Sequence, residues 1–478
     1  MSRFVLPLVS LLLFFSATAQ DTANKWTLRK CVDYAVRNNI SIKQAGTQTQ
    51  LSNIDVHQNE MTRLPTLGAS LSGGYNFGLS NNPATGVLES NNFFAAQAGV
   101  QTNYTIFNWN VRRNSIEASK LGLKAAEAGV EKAQNDISLN VANSFLQAML
   151  NNETVRIAEI QLNQSLAQLT NTNVLVRAGS VPELNSLQIQ AQVATDSATL
   201  IQARSNYRQA IIQLKALLNL PQDTTFDIVI PPIELIPLQS LADLAPAYVY
   251  SMAIANQPLQ RANEFRLQQS RRQVSIARGS MYPSIGAQGS LSTSYAAIKY
   301  PVAGLGTGFD TSIAFINTGS GIFQVLSPKT IIAGYQKTPF TTQVRDNFGQ
   351  FIGIGINFNI FNQHQARSQW ERAKIQVRQF ELQQQLDNQI LQSDIYNAYE
   401  LAVTALQRYN ASQRQVETSE RAMEFANKRY TLGLLNVLDL LTTQNNLLRA
   451  RIEMVRNQYD YIFKMKVLEF YKGMGIRL

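Results

Sequence analysis

Apolar side chains recur at spacings of three and four along the stretch that opens at Phe107: Ile116, Ser119, Leu123, Ala126, Val130, Ala133 and Ile137. That is a heptad seam, the pattern of a long helix lying along another. The run meets no proline until Pro182, and Gly122 and Gly129 stand singly within it. At 1.5 Å per residue it makes an arm roughly 100 Å long. It breaks at Arg177-Ala178-Gly179-Ser180-Val181-Pro182. Glycine suits a helix C-terminus, and proline the first turn of the next helix. A seam then resumes at Leu184, Leu187, Ala191, Ala194, Ala198 and Ile201. The pattern predicts a long helical hairpin over residues 107–219.

The hairpin occurs twice. Ile360-Phe361-Asn362 repeats Ile106-Phe107-Asn108 at an offset of 254. Gly433, Leu438 and Tyr461 stand at the same offset from Gly179, Leu184 and Tyr207. The second hairpin covers 361–472, and its return arm carries a seam of Leu438, Leu441, Asn445, Leu448, Ile452, Val455, Tyr459 and Ile462. A duplication that holds register this far takes precedence over any single motif.

Ahead of each hairpin the period changes to two. In 66–79 the odd positions are Leu67, Ala69, Leu71, Gly73, Tyr75, Phe77 and Leu79, while Gly, Ser, Thr and Asn take the even ones. In 95–106, Ala96, Ala98, Val100, Thr102, Tyr104 and Ile106 alternate with Gln97, Gly99, Gln101, Asn103 and Thr105. The second half has 284–296, which opens with Pro283-Ser284-Ile285-Gly286-Ala287 as the first opens with Pro65-Thr66-Leu67-Gly68-Ala69. Its partner is 347–360, with Phe348, Ile352, Ile354, Ile356, Phe358 and Ile360 against Gly349, Gly353, Gly355, Asn357 and Asn359. Tilted strands cross a bilayer in about 9–11 residues. One apolar face and one small or uncharged polar face match the lipid-out, water-in alternation of a membrane barrel. The competing reading is a half-buried hairpin of a soluble sheet. Between the strands lie a loop at 80–92 and a longer Gly-, Ser- and Thr-rich one over 297–346, expected to be exposed.

The rest of the chain fits around these elements. Residues 1–19 read as a signal peptide: Arg3, an apolar run from Phe4 to Phe15, and Ala17-Thr18-Ala19 before the cut. No cysteine follows the cut, so no lipid anchor is expected there. The first repeat is 20–219, with a helix from Leu28 to about Arg63 that Pro65 ends. A proline-rich linker, 220–246, holds Pro221, Pro231, Pro232, Pro237 and Pro246. The second repeat is 247–478, and its leading helix runs from about Leu241 to Ile276. No other stretch is long and apolar enough for a membrane helix.

Composition narrows the chemistry. The 478 residues are 45% hydrophobic and 15% charged, with a net charge of +10. Lys and Arg are scattered along helices beside acids, as Lys374 is beside Glu371, and no reader motif accompanies them. No nucleic acid partner is therefore expected. The one cysteine, Cys31, excludes an internal disulfide and suits a small apolar position on the first helix. His57 and His364 lie far apart, and the methionines are scattered. Neither a metal site nor a cofactor is expected. No G-x-S-x-G, H-E-x-x-H or clustered acid pair with histidine occurs, so no enzyme is expected.

Four strands cannot close a barrel, and an open edge cannot sit in hydrocarbon. The chain must then share a barrel with other copies. Narrow seams beside Gln- and Asn-rich faces suit a single layer of helices, each touching a neighbour on both sides. This order of elements, the Ile-Phe-Asn starts, the Pro-Thr/Ser-Leu/Ile-Gly-Ala strand starts, and Tyr430-Thr431-Leu432-Gly433 followed by Val437-Leu438-Asp439 resemble the TolC family of outer-membrane efflux proteins. The resemblance covers nearly the whole mature chain. It implies a mainly α fold with membrane β: internally duplicated, long antiparallel helical hairpins in a trimeric α-barrel, continuous with a shared 12-stranded outer-membrane β-barrel, four strands per chain. It implies a homotrimer in outer-membrane lipid with a large periplasmic portion. Its partners would be a periplasmic adaptor (membrane fusion) protein and an inner-membrane transporter that supplies the energy. The implied function is the exit duct of a tripartite efflux pump or type I secretion system, with drugs, metal ions and polypeptides all open as cargo. The alternative is an exported coiled-coil scaffold protein at the cell surface.

The resemblance also implies a gate. In the family, acids just after the second tip turn ring the closed periplasmic mouth. Asp439 matches that position, and Asn436 stands where another acid is often found. Asn185 lies at Asp439's offset in the first half, with Glu183 beside it, and Tyr430 completes the candidate constriction. The competing reading for Glu183 and Asp439 is that acids favour the positive end of a helix. Gly179, Gly433, Arg177, Leu434 and Leu435 are the candidate turn and adaptor-contact residues. Leu434-Leu435 stand where a basic locking residue is sometimes found, which leaves Arg177 and Arg429 as the nearby cations. Asp196, well along the return arm, serves as the comparison acid.

Overall fold

The computed structural model describes residues 25–474 apart from 82–87, 91, 231–235 and 237. The signal segment, and Pro231, Pro232 and Pro237 of the linker, lie outside the described residues. The order begins β1 (Lys25–Trp26), α1 (Leu28–Asn38), α2 (Ile40–Met61), β2 (Thr66–Asn76), β3 (Leu79–Asn81), β4 (Leu88–Ser90), β5 (Phe93–Phe107), α3 (Val111–Arg177) and α4 (Glu183–Leu218). It continues β6 (Asp227–Ile228), a 3₁₀ turn (Leu241–Leu244), α5 (Pro246–Asn256), α6 (Pro258–Gly279), β7 (Ser284–Ala296), β8 (Lys299–Asn317) and β9 (Ile322–Lys337). The last elements are α7 (Phe340–Asp346), β10 (Gly349–Asn357), α8 (Gln365–Thr431) and α9 (Val437–Tyr471). Contacts divide the chain into two units: Met1–Val56, Ala118–Arg271 and Ile375–Leu478 form one, His57–Glu117 and Arg272–Lys374 the other.

The duplication holds to the residue. α3 and α8 are each 67 residues long and start 254 positions apart. The left-handed backbone positions obey the same offset: Trp109 and Asn110 (φ 52° and 62°) are matched by Gln363 and His364 (54° and 63°), and Gly179 by Gly433, both at 72°. Asn219 (56°) is matched by Gly473 (94°). These residues end strands or helices, so the two halves turn corners in the same way.

In the helical unit each leading helix packs on a hairpin. Thr27 caps α1 by accepting from the Lys30 amide. Leu28, Cys31 and Ala35 of α1 join Val141, Phe145 and Met149 of α3, Leu214 and Leu218 of α4, and Val455 and Tyr459 of α9. Burial pushes the Cys31 thiol up to about 12, with Lys30 opposing weakly. In the second half Val249 and Ala253 of α5 pack with Ile395, Ala398 and Ala402 of α8 and Met465 and Leu468 of α9. β1 pairs in parallel with β6. Two expectations are corrected here. The leading helix predicted over 28–63 is two helices. Asn39 stops α1, and its amide side chain donates to the Leu217 carbonyl at 2.8 Å and accepts from the Ser41 amide. In the second half Gln257, extended as a residue before proline tends to be, stops α5, and Pro258 opens a fresh helix. The α4 seam is also reversed: Leu184, Leu187 and Ile201 are exposed, and Ile189, Leu200, Ala203 and Leu214 are the buried ones. Both faces of α4 are apolar, and only one meets its own chain.

In the other unit β10-β7-β5-β2 form an antiparallel sheet in that order. Register aligns the faces: Leu67, Ala69 and Leu71 lie opposite Thr102, Val100 and Ala98. Val100 and Tyr104 meet Leu291 and Ala287, and Ile354 and Ile356 meet Ala287 and Ile285. The other face carries Ser70, Gln101, Gln288 and Ser290, with the Phe351 ring lying over Gly353. Ile352 is 90% exposed and Leu71 83%. Strand ends differ from expectation at 66–79, where Gly78 at φ 97° stops β2 early, and at 347–360, where β10 is the shorter Gly349–Asn357. The stretch 297–346 is no irregular loop. β8 and β9 pair as a hairpin, and α7 seats Gln343 against the end of β7. There its amide accepts from Ala296 N and donates to Ala296 O, both at 3.0 Å. The pairing shifts register between Val302 and Ala303, Ala303 and Thr307, and Thr311 and Phe315, and each shift breaks the alternation that marks a regular strand.

Candidate functional site

The two tip turns are built alike. Gly179 N donates to Val176 O and Ser180 N to Leu175 O, both at 2.9 Å. Gly433 N donates to Tyr430 O at 3.0 Å and Leu434 N to Arg429 O at 2.8 Å. This is a Schellman closure, and it requires the left-handed glycine that both turns supply. Beside the turns the four long helices share a core: Ile189 of α4, Ala426 and Tyr430 of α8, and Val437, Leu440 and Leu441 of α9, with Leu169 of α3 against them.

The two return helices start differently. Asn436 caps α9: its side chain accepts from the Asp439 amide and donates to the Asp439 carboxylate, each at 2.8 Å. The reciprocal pair holds an exposed carboxylate in one place at the positive end of the helix. α4 starts at Pro182, which offers no side-chain cap. Glu183 is exposed and Asn185 half-buried, with the Asn185 amide donating to Pro182 O at 3.1 Å.

The remaining candidates divide by burial. Tyr430 is 9% exposed, and its hydroxyl lies 3.3 Å from that of the fully buried Thr172. It therefore joins α8 to α3 inside the chain. Leu434 is exposed and Leu435 tucks against the tip core. Arg177 and Arg429 both turn onto their own backbone, to Asn173 O and Leu434 O. One turn back, Lys428 beside Glu424 holds that carboxyl below its ordinary value.

The sequence pattern missed a buried polar centre farther along the hairpins. Asp196 is 2% exposed. It accepts from Ser165 Oγ at 2.5 Å and from Gln192 Nε2 at 2.9 Å. Gln444 donates to Ser165 Oγ at 2.9 Å, and Gln192 and Asn445 exchange contacts at 3.2 Å. The network ties α3, α4 and α9. Asp196 is thus no neutral comparison for Asp439, because its loss would leave buried donors unpaired. Its one sequence signal is a charge on the buried side of α4, which shows only once that side is known. Among the described residues, no group of three or more His, Cys, Asp or Glu side chains is placed to hold a metal ion.

Comparison with known proteins places this arrangement. The model of the outer membrane efflux protein family matches residues 32–220 and 333–469. Nodulation protein T of Rhizobium leguminosarum bv. viciae is 21% identical over 440 residues, covering 90% of this chain and 78% of its own. The pyoverdine export outer membrane protein OpmQ of Pseudomonas putida is 22% identical over 386 residues, covering 79% and 70%. Among solved structures, the channel CusC superposes with a TM-score of 0.75 at 16% identity, covering 94% of this chain and 92% of that one.

Proposed function

Because the chain belongs to the outer membrane efflux protein family, acting in the outer membrane as an efflux channel, we propose that three copies share one barrel and that the helix tips close its periplasmic mouth. The observation that carries this is the sheet. Among the described residues β2 and β10 are its outer strands, each paired on one side alone, and one face of the sheet is largely apolar. Unpaired edges in hydrocarbon cost several kcal/mol per group. A 12-stranded closed barrel from three chains removes them. The uncovered seam of α4 (Leu184, Leu187, Ile201) and a second stripe on α8 (Ile375, Leu382, Leu386, Ile390) supply helix faces for neighbouring copies.

On this reading the duct is passive. A periplasmic adaptor engages the tips at Gly179, Gly433, Leu434 and Leu435, and an inner-membrane transporter supplies the energy. Asp439, with Glu183 beside the matching Asn185 of the first repeat, sets the charge of the constriction, and Tyr430 holds α8 against α3 behind it. No catalytic step is assigned to the duct. The test is the mass of the detergent-solubilised protein by light scattering, followed by recording in planar bilayers. A trimer that conducts is expected. A folded monomer, or a trimer with no conductance under any voltage or salt, would overturn the proposal.

A further inference from the structure

Trp109 sits where β5 becomes α3, in the left-handed backbone that turns the corner. Its ring lies 5.3 Å from that of Phe107 and 4.9 Å from that of Tyr282, centroid to centroid. Its indole Nε1 donates to Pro283 O at 2.8 Å. All three rings remain exposed. Arg112, one turn on, sends its guanidinium back over Tyr104. Its Cζ lies 5.2 Å from that ring's centroid, one terminal nitrogen donates to the Tyr104 hydroxyl at 3.3 Å, and the other to Thr105 O. Tyr104 pairs with Ala287 and Phe107 with Ile285, both on the apolar face of the sheet. The cation is therefore drawn onto that face, among aromatic rings at the strand ends. Among the described residues no carboxylate pairs with it. The second repeat has no counterpart: at the offset of 254, Trp109 becomes Gln363 and Arg112 becomes Ala366.

Aromatic rings at the end of a membrane strand mark the headgroup level. An arginine there keeps its stem on apolar surface and its fork among the phosphates. We propose that Arg112 binds the phosphate of a phospholipid headgroup in the periplasmic leaflet, with Phe107, Trp109 and Tyr282 seating the glycerol and upper acyl region beside it. The two contacts to Tyr104 and Thr105 fix the guanidinium plane, and its remaining N–H donors are directed at the anion. The planar fork matches phosphate oxygens in pairs, which a lysine ammonium does not. The duplication makes this one site per chain. The inference rests on the reading that the sheet crosses the outer membrane.

The test is native mass spectrometry of the full chain, released from detergent after titration with phosphatidylglycerol, diacylglycerol of the same acyl chains, or glycerol 1-phosphate. The wild type is expected to retain phosphatidylglycerol at roughly tenfold lower concentration than diacylglycerol, in line with a charge-assisted pair, and to show no saturable retention of glycerol 1-phosphate. Arg112→Gln should remove the preference, and Arg112→Lys should keep part of it. Tyr104→Phe, which loosens the fork without removing the charge, should weaken it and covers the case in which Arg112→Gln does not assemble. Equal retention of phosphatidylglycerol and diacylglycerol by the wild type, or an undiminished preference in Arg112→Gln, overturns the inference. Retention of glycerol 1-phosphate alone would make this a free-phosphate site and overturn it equally. Conductance of the same wild-type preparation separates this failure from failure of the channel reading.

Discussion

Asp439 carries the sharpest residue-scale expectation. Its carboxylate is exposed, yet pinned by Asn436, so a threefold assembly would present it in a fixed place at the proposed mouth. Like charges around a narrow axis attract cations. Asp439→Asn should lower cation preference in single-channel recordings while changing stability by only about 0.3–1 kcal/mol. Asp33→Asn, on the exposed face of α1, is the comparison for lost charge in place of the buried Asp196. Unchanged selectivity in Asp439→Asn would remove it from the constriction and leave it a helix-start acid. The pairing of Asn436 with Asp439 was not read from the sequence, where Asn436 stood only in the place of a second acid; the cap shows in the folded turn. The burial of Tyr430 was not legible either, because a tyrosine reads the same whether its ring faces the axis or its own core.

At the scale of elements, the sheet makes a prediction about its two faces. Ile354 lies opposite Ala287, and Gln288 lies opposite Gly353 on the next row. Ile354→Lys should impair membrane assembly, costing about 2–4 kcal/mol near the bilayer midplane. Gln288→Lys, on the polar face, should assemble as the wild type does. Heat-modifiable migration on gels reads both, and equal damage would mean the faces are reversed or the sheet is not in lipid. Strand alternation was legible because side chains point to alternate faces at every residue. The β8–β9 hairpin was not, since its signal lies in pairing between segments and not in periodicity within either.

For the whole molecule, the proposed assembly puts the exposed face of α4 between copies. Leu187→Asp with Ile201→Asp should leave the helix content of the chain unchanged by circular dichroism, because both side chains are exposed within it. On the proposed assembly it should reduce trimer recovery by a large factor, since it places acids in a seam between copies. Full trimer recovery would move the contact between copies to other faces. The matched substitution Leu214→Asp, in the fully buried core of one chain, should instead abolish folding, as an unpaired buried charge does.

Much of this protein was readable along the chain. Periods of 3.5 and 2, and a repeat at an offset of 254, are local properties of a linear polymer. They dictated the long helices, the paired strands, the glycine turns and the duplication before any packing was known. Partner choice is not a local property. α4 has two apolar faces, and only the folded chain shows which one buries Ile189 and Leu200 and which one leaves Leu187 open. The same holds for Asp196, buried because Ser165 comes to it from α3 and Gln444 of α9 donates to that serine. It holds too for Gln343, which closes the end of a strand 47 residues away in sequence. Hydrophobic patterning fixes how an element is made, but burial and hydrogen bonding are summed over neighbours distant in sequence, and those neighbours exist only once the chain has folded.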